Sequence, residues 1–118
     1  MEFDATRPIW LQVMNLLEID VITGRRRPGE KLPGGRDLAL AYGINPNTAA
    51  RVYQELEKLG LCETRRGMGT FVTGDERKIA AARETLIART VKEFLGKMAQ
   101  FGASPQDAAE IILKEVQQ

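Results

Sequence analysis

The chain has 118 residues, 43% of them hydrophobic and 28% charged, with a formal net charge of +1. This composition is typical of a globular protein with one domain, or one domain and a short annex. No apolar run reaches the roughly 18 residues of a transmembrane helix, and the N-terminus lacks a signal-peptide pattern. With no histidine and one cysteine, histidine triads and imidazole metal sites are excluded, and the cytoplasm is the expected location. We expect no enzymatic activity, no metal, no cofactor and no membrane partner.

Positive charge is concentrated in the middle of the chain. Residues 24–74 hold nine basic and five acidic side chains, whereas residues 1–23 hold one basic and four acidic side chains. A local basic excess is what a surface that binds an anionic partner requires. An ordinary solvated surface would give the same excess, so the charge alone leaves both interpretations open.

Three helices are predicted before residue 60. The first begins at Pro8, ends before Gly24 and is apolar over much of its circumference, so we expect most of it to be buried. The second covers residues 35–41, and the third begins with Asn45 as its N-cap and ends at Gly60. The inward positions expected on the third helix are Ala49, Val52, Tyr53, Leu56 and Leu59.

Two short strands follow the third helix, at residues 61–64 and 70–73. Their five-residue connection, RRGMG, contains glycine and predicts a β-hairpin. Helix, helix, recognition helix and hairpin wing in this order predict a winged helix-turn-helix domain over residues 1–74. The core of this domain is expected to include Leu16, Leu38, Val52, Leu56 and Phe71.

Residues 75–118 are predicted to form two helices. Asp75 caps a long helix that reaches about Phe101, and Ser104 and Asp107 form a capping box for the last helix. Apolar residues recur at heptad spacing in this tail. Two such helices cannot bury both apolar faces, so they need the winged domain, a second copy of the chain, or both. The residues expected to dimerise are Ile87, Val91, Phe94, Leu95, Met98, Phe101, Ile111 and Ile112.

Polar residues suited to nucleic acid cluster at the start of the third helix, off its apolar face. Asparagine can bond adenine bidentately, arginine can do the same to guanine, and a helix N-terminus attracts phosphate. Alternatively, these residues only cap the helix or carry a solvated charge, but the wing and the basic middle third favour DNA. The candidates are Asn45, Asn47, Thr48 and Arg51.

Three segments carry a specific resemblance: PIWLQV, GRRRPGEKLPGGRDLALAYGINPNTAARVYQELEKLGL and RRGMGTFV. Together they resemble the DNA-binding domain of GntR-type transcriptional regulators over residues 8–73. The short helical tail resembles that of the YtrA-like subfamily, whose members carry two dimerising helices. The resemblance implies a fold that is mainly α with a small β-hairpin wing, in a homodimeric bacterial repressor that binds a palindromic operator in double-stranded DNA.

The same resemblance implies which residues contact DNA. They are Arg36, Asn45, Asn47, Thr48, Arg51, Arg66 and Gly69. Many relatives have serine at the position of Gly34, where the hydroxyl caps the second helix and touches phosphate. Glycine still caps at a cost of a few tenths of a kcal/mol, but the hydroxyl contact is lost.

The remaining features of the sequence give weaker or open predictions. Arg25, Arg26 and Arg27 either contact DNA or form a solvent-facing loop, and Cys62 is expected to be buried and inert. Trp10 is interpreted as a packing residue. No effector-binding motif is recognisable, so the presence of a small-molecule effector is open. The alternative function is a winged-helix adaptor that binds another protein through the apolar tail.

Overall fold

The computed structural model describes residues 2–118, in which five helices and one two-stranded sheet follow each other. This mainly helical architecture with a small hairpin confirms the predicted fold class. The elements are α1 (Ile9–Ile22), α2 (Gly35–Tyr42), α3 (Pro46–Lys58), β1 (Cys62–Arg65), β2 (Gly69–Val72), α4 (Glu76–Gln100) and α5 (Pro105–Val116).

Local side-chain chemistry sets the starts of α3 and α5. The side-chain oxygen of Asn45 accepts a hydrogen bond of 2.8 Å from the Thr48 N–H. Ser104 and Asp107 form a reciprocal capping box with distances of 3.0 and 2.9 Å. Both caps confirm the predicted helix starts, because each satisfies backbone N–H groups that lack a partner within the helix.

The hairpin is bound along one edge by the segment that joins α1 to α2. In the hairpin, Cys62 lies opposite Val72 and Arg65 lies opposite Gly69. Compared with the predicted ranges, β1 is shifted by one residue towards the C-terminus and β2 by one residue towards the N-terminus. Residues 29–32 run along the other edge of β2, where the Leu32 N–H donates to Thr70 and the Val72 N–H donates to Glu30, both at 2.8 Å. Strand β2 is therefore hydrogen-bonded on both edges, to β1 on one side and to residues 29–32 on the other.

The chain divides into two compact units, one ending at Ala82 and the other running from Arg83 to Gln118. In the first unit α3 packs against α1 and α2, and Ile79 and Ala82 of α4 pack against the same core. Its largest fully buried side chains are Leu17, Leu38, Leu56, Leu61, Val13, Val52 and Val72.

Three expectations about burial were wrong. Leu59 is 48% exposed, and it is the C-cap that follows the last residue of α3. Leu16 and Phe71 are only half-buried, and Leu17 and Leu61 fill the core instead. The first helix also keeps Ile19 exposed, so its apolar circumference is wider than the face it buries.

The second unit leaves most of its apolar side chains exposed. Ala108 is its one buried residue, while Leu95 and Met98 are half-buried. Within residues 2–118, no helix is both long and apolar enough to cross a membrane. The exposed large apolar residues of this unit are Ile87, Val91, Phe94, Phe101, Ile111, Ile112, Leu113 and Val116.

Candidate nucleic-acid interface

The basic side chains of residues 24–74 fall into two groups. Those in the first group lie within 4.0 Å of a carboxylate; they are Arg25, Arg26, Lys58 and Arg65. Those in the second group have no ion pair among residues 2–118; they are Arg27, Lys31, Arg36, Arg51 and Arg66. All three arginines expected to contact DNA belong to the second group. Their charge is therefore available to an anionic partner.

The start of α3 combines a closed cap with the open polar groups of Asn47. Asn45 uses its side-chain oxygen on the Thr48 N–H, and Pro46 at the first helical position has no N–H to offer. Asn47 is exposed, and its backbone N–H and amide side chain have no partner within the described chain. Asn45 is thus a capping residue, as the alternative interpretation held, and Asn47 is the open polar group of this turn.

Arg51 is on the same helix, and its guanidinium lies over the indole of Trp10. The distance from the guanidinium carbon to the ring centroid is 4.2 Å, which is within the range of a cation–π contact. Trp10 is half-buried against the core, whereas Arg51 is exposed. The packing role expected for Trp10 is confirmed, and the ring also contacts the charged guanidinium of Arg51.

The start of α2 leaves more backbone donors open than the start of α3. Gly34 is its N-cap, with extended backbone and no side chain to cap the helix. The first bond from inside the helix is the Leu38 N–H to the Gly34 carbonyl, at 2.9 Å. The N–H groups of Gly35, Arg36 and Asp37 therefore point out of the helix end without a backbone partner. Arg36 is exposed in this first turn, and Asp37 partly offsets its charge.

The two arginines of the wing have different surroundings. Arg65 is bound to Glu63 at 2.8 Å and lies 4.2 Å from the centroid of the Phe71 ring. Arg66 is exposed in the turn and has no ion pair among the described residues. Gly69 begins β2 with φ +119°, a conformation that residues with a Cβ rarely adopt. The wing therefore presents one restrained and one free guanidinium.

A groove of about 590 Å³ connects the wing with the start of α2. Its wall includes Lys31, Gly34, Gly69 and Thr70, so the predicted contact Gly69 and Gly34, where many relatives have serine, share one surface. Tyr53 of α3 donates a hydrogen bond to the carbonyl of Pro33, which also lines this groove. That bond joins α3 to the segment that leads into α2.

Arg26 has a structural role in the loop whose function was open. Its guanidinium lies 3.7 Å from Asp20 and 3.9 Å from Glu30, and its side chain is 23% exposed. Arg25 lies 3.7 Å from Asp20. Of the three consecutive arginines, only Arg27 has no ion pair within residues 2–118 and remains available to a ligand.

Cys62 is buried, as expected. Burial raises the pKa of its thiol to about 12, with smaller contributions from Glu57 and Glu63. Its Sγ lies 3.6 Å from the Tyr53 carbonyl. A thiol that stays protonated at neutral pH is a poor nucleophile, so this residue belongs to the core.

The sequence interpretation missed Lys31 as a candidate. Lys31 pairs with Phe71 in an isolated bridge, and its side chain passes beside Gly69. No local pattern indicates this, because the bridge joins segments forty residues apart. The structure brings the candidates at the start of α3 together at one helix end, and it places Gly34 and Gly69 on the wall of the same groove. The eight predicted dimerisation residues all lie in the second unit, residues 83–118.

Known proteins resemble this chain in sequence and in fold. Residues 10–72 match the family described as bacterial regulatory proteins, gntR family. The uncharacterized HTH-type transcriptional regulator YhcF of Bacillus subtilis (strain 168) is 32% identical, over 92% of this chain and 90% of its own length. The HTH-type transcriptional repressor YtrA of the same organism is 33% identical, over 77% and 71% respectively.

A solved structure extends the likeness beyond the winged domain. A GntR family transcriptional regulator from Listeria monocytogenes superposes with a TM-score of 0.87 at 29% identity, covering 95% of this chain and 98% of its own. The fold and the relatives are those of transcriptional regulators, not of enzymes. The chain belongs to the gntR family of bacterial regulatory proteins, which are DNA-binding transcriptional regulators.

Proposed function

We propose that this regulator is a cytoplasmic repressor that binds a palindromic operator as a homodimer and blocks transcription by occupying it. The observation that carries the proposal is the sorting of the basic residues. The arginines at the positions expected for DNA contact have no ion pair within the described chain, whereas four neighbouring cations are held by carboxylates. A surface that binds phosphates needs cations that are not already neutralised.

The recognition helix α3 supplies the contacts to bases. Asn47 and Arg51 present exposed polar groups in its first two turns. An asparagine amide fits the major-groove edge of adenine, and a guanidinium fits that of guanine. Because the Asn45 oxygen is used by the cap, its amide nitrogen is left for a phosphate or base, and Thr48 adds a hydroxyl.

The start of α2 supplies a phosphate contact. The open N–H groups after Gly34 and the partial positive charge of the helix end favour an anion. Arg36 adds a full charge in the same turn. The missing serine hydroxyl therefore removes one contact and leaves the backbone donors in place.

The wing supplies a contact in the minor groove. Arg66 is the free guanidinium of the turn, and Gly69 allows the backbone conformation at φ +119° that begins β2. Arginine is the side chain most often inserted into a narrow minor groove, because the groove concentrates negative potential. Arg65 is already paired with Glu63, so its charge is largely neutralised within the wing.

The tail joins two copies of the chain. Ile87, Val91 and Phe94 of α4 are between 39% and 50% exposed, and Ile111 and Ile112 of α5 are 47% and 43% exposed. Contiguous exposed apolar surface on this scale is uncommon in soluble monomers. A second copy of the same helices would cover it and place two winged domains on one operator.

Titration of the full chain against a labelled mixed-sequence duplex tests the proposal. We expect binding at low salt, with log affinity falling by about 0.9 per phosphate contact for each unit of log salt concentration. Replacing Arg36, Arg51 and Arg66 by alanine should weaken binding and flatten this slope. Replacing Arg25, Lys58 and Arg65 removes the same charge and should change both much less.

Two results would contradict the proposal. The first is absence of salt-sensitive binding to any duplex, which would favour the protein-adaptor function. The second is an equal loss in both triple variants, which would show that only total charge matters and that the free cations form no interface.

A further inference from the structure

The contact between Trp10 and Arg51 joins the first turn of α1 to the recognition helix. The guanidinium carbon of Arg51 lies 4.2 Å from the centroid of the Trp10 ring. Trp10 is half-buried and packs against the core, so the ring is fixed in place. Since α1 and α3 pack against each other, the position of the ring relative to the recognition helix is also fixed.

The geometry of this contact leaves the hydrogen-bonding edges of Arg51 open. A guanidinium that stacks on an aromatic ring uses its flat face, and its N–H donors then lie in its own plane and point outward. No carboxylate or other acceptor binds these donors within residues 2–118. Guanine is read through the edge, by two donors that reach O6 and N7. One arginine can therefore stack on Trp10 and read a base at the same time.

Holding the side chain before binding has a thermodynamic consequence. A free arginine side chain loses much rotamer freedom when a ligand fixes it. The indole restricts Arg51 in the free protein, so less of this entropy is lost on the operator. The restriction acts on base reading more than on phosphate contacts, because base reading demands one orientation of the guanidinium.

We infer that Trp10 is a positioning residue for operator specificity: its ring orients the Arg51 guanidinium for a bidentate contact with a base. The inference rests on the proposed role of Arg51 in base reading and adds a determinant that lies outside the recognition helix. Trp10 itself touches no base.

Binding of Trp10→Phe and Trp10→Leu variants of the full chain tests the inference. The readout is the ratio of affinities for the operator, selected from a random duplex pool, and for a scrambled duplex. Trp10→Leu should lower this ratio by about 2- to 5-fold per half-site, the scale of an exposed cation–π contact. Trp10→Phe keeps an aromatic face that makes a weaker cation–π contact, so it should lower the ratio less. This variant provides the test if Trp10→Leu does not fold.

A double-mutant cycle separates orientation from packing. In an Arg51→Ala background, neither Trp10 variant should change the ratio further, because no guanidinium remains to orient. Leu11→Ala is the matched control on α1, since Leu11 is half-buried against the same core. It should lower the melting temperature and leave the ratio unchanged.

Each remaining outcome has a defined meaning. If Trp10→Leu lowers the ratio equally with and without Arg51, the ring acts only in packing and the inference is wrong. If Arg51→Ala lowers the ratio and both Trp10 variants leave it unchanged, the inference alone is wrong. If Arg51→Ala leaves the ratio unchanged, the proposed base-reading role of Arg51 fails first, and the inference fails with it.

Discussion

The side chain of Lys31 occupies the space that a side chain on Gly69 would need. A Cβ on Gly69 would lie 2.9 Å from Lys31 Cε and 3.7 Å from its Nζ. The absence of a side chain therefore lets the Lys31 ammonium lie against the first residue of β2, on the wall of the groove. Gly69 serves this packing as well as the backbone conformation at φ +119°.

Gly69→Ala should weaken operator binding without unfolding the core. The new methyl would push Lys31 aside and strain the backbone, because a residue with a Cβ rarely adopts this φ. Gly67→Ala is a useful comparison, since Gly67 also has a positive φ, +77°, but open space around its Cβ position. We expect a smaller loss from Gly67→Ala in a fluorescence titration on the operator.

The contribution of Lys31 to this loss is measured by combining the variants. In a Lys31→Ala background, Gly69→Ala should cost less than in the wild type, because no side chain is left to displace. The same cost in both backgrounds would mean that only backbone strain matters. Wild-type affinity of a folded Gly69→Ala protein would remove the wing from the interface.

Asn45 and Asn47 should separate in their effects, although both lie at the start of α3. Asn45→Ala removes the cap on Thr48 and should lower the free energy of unfolding by about 0.5–2 kcal/mol. Asn47→Ala removes no intramolecular bond, so its stability should stay within about 0.5 kcal/mol of the wild type. Its operator specificity should fall by roughly 1–3 kcal/mol. Urea denaturation and operator titration measure the two effects, and equal destabilisation by both variants would contradict the assignment.

Helix starts and the order of elements could be predicted because they depend on neighbouring residues. Asn45 followed by proline, and Ser104 three residues before Asp107, each satisfy backbone donors within one turn. The hairpin follows in the same way from glycine in a short connection between β-prone segments. These features require no knowledge of the rest of the chain.

Contacts between distant segments could not be predicted. Nothing near Trp10 shows that Arg51 will lie over its ring, and nothing near Gly69 shows that Lys31 will pass beside it. Charge counts likewise do not show that Arg65 is bound to Glu63 while Arg66 is free. These distinctions depend on how α1, α3 and the wing pack.

The stability of the fold should fall as the pH rises above about 9. Burial raises the pKa of Cys62 from an ordinary value of 9.0 to about 12. Above pH 9 the unfolded chain loses this proton while the folded chain keeps it. The contribution of the protonated Cys62 thiol to the free energy of unfolding is therefore fully present below pH 9. It is lost as the pH rises through the folded pKa of about 12.

Comparison with Cys62→Ala isolates the contribution of the thiol. Between pH 8 and about 10.5, the free energy of unfolding should fall less steeply in the variant. Tyr53 remains as a second source of the decrease, because burial raises its pKa to about 12 as well. If the free energy of unfolding, measured with urea, falls equally steeply with pH in both proteins, the thiol is not buried and protonated as described.

Charge placed on the exposed apolar residues of the tail should separate the two copies. Val91 and Ile112 are 50% and 43% exposed, so glutamate at both positions should leave each chain folded and prevent association. Lys92→Glu with Lys114→Glu is the control, since both lysines are exposed on the same helices. Sedimentation should show a dimer for the wild type and the control, and a monomer for the Val91→Glu, Ile112→Glu variant.

The affinity of the monomeric variant for an operator with two half-sites should fall by about 10²- to 10⁴-fold, because two tethered sites become independent. Unchanged oligomeric state in that variant would place the interface elsewhere. A wild-type chain that sediments as a monomer would contradict the dimer itself.

Selection of duplexes from a random pool by the full chain tests the central claim most directly. A homodimeric repressor should enrich one sequence made of two inverted half-sites, with centres about one helical turn apart or a multiple of it. Arg51→Ala should relax the base preference within each half-site and keep the spacing, because the tail is unchanged. Enrichment of no sequence, or of a single half-site without symmetry, would contradict sequence-specific binding by a homodimer.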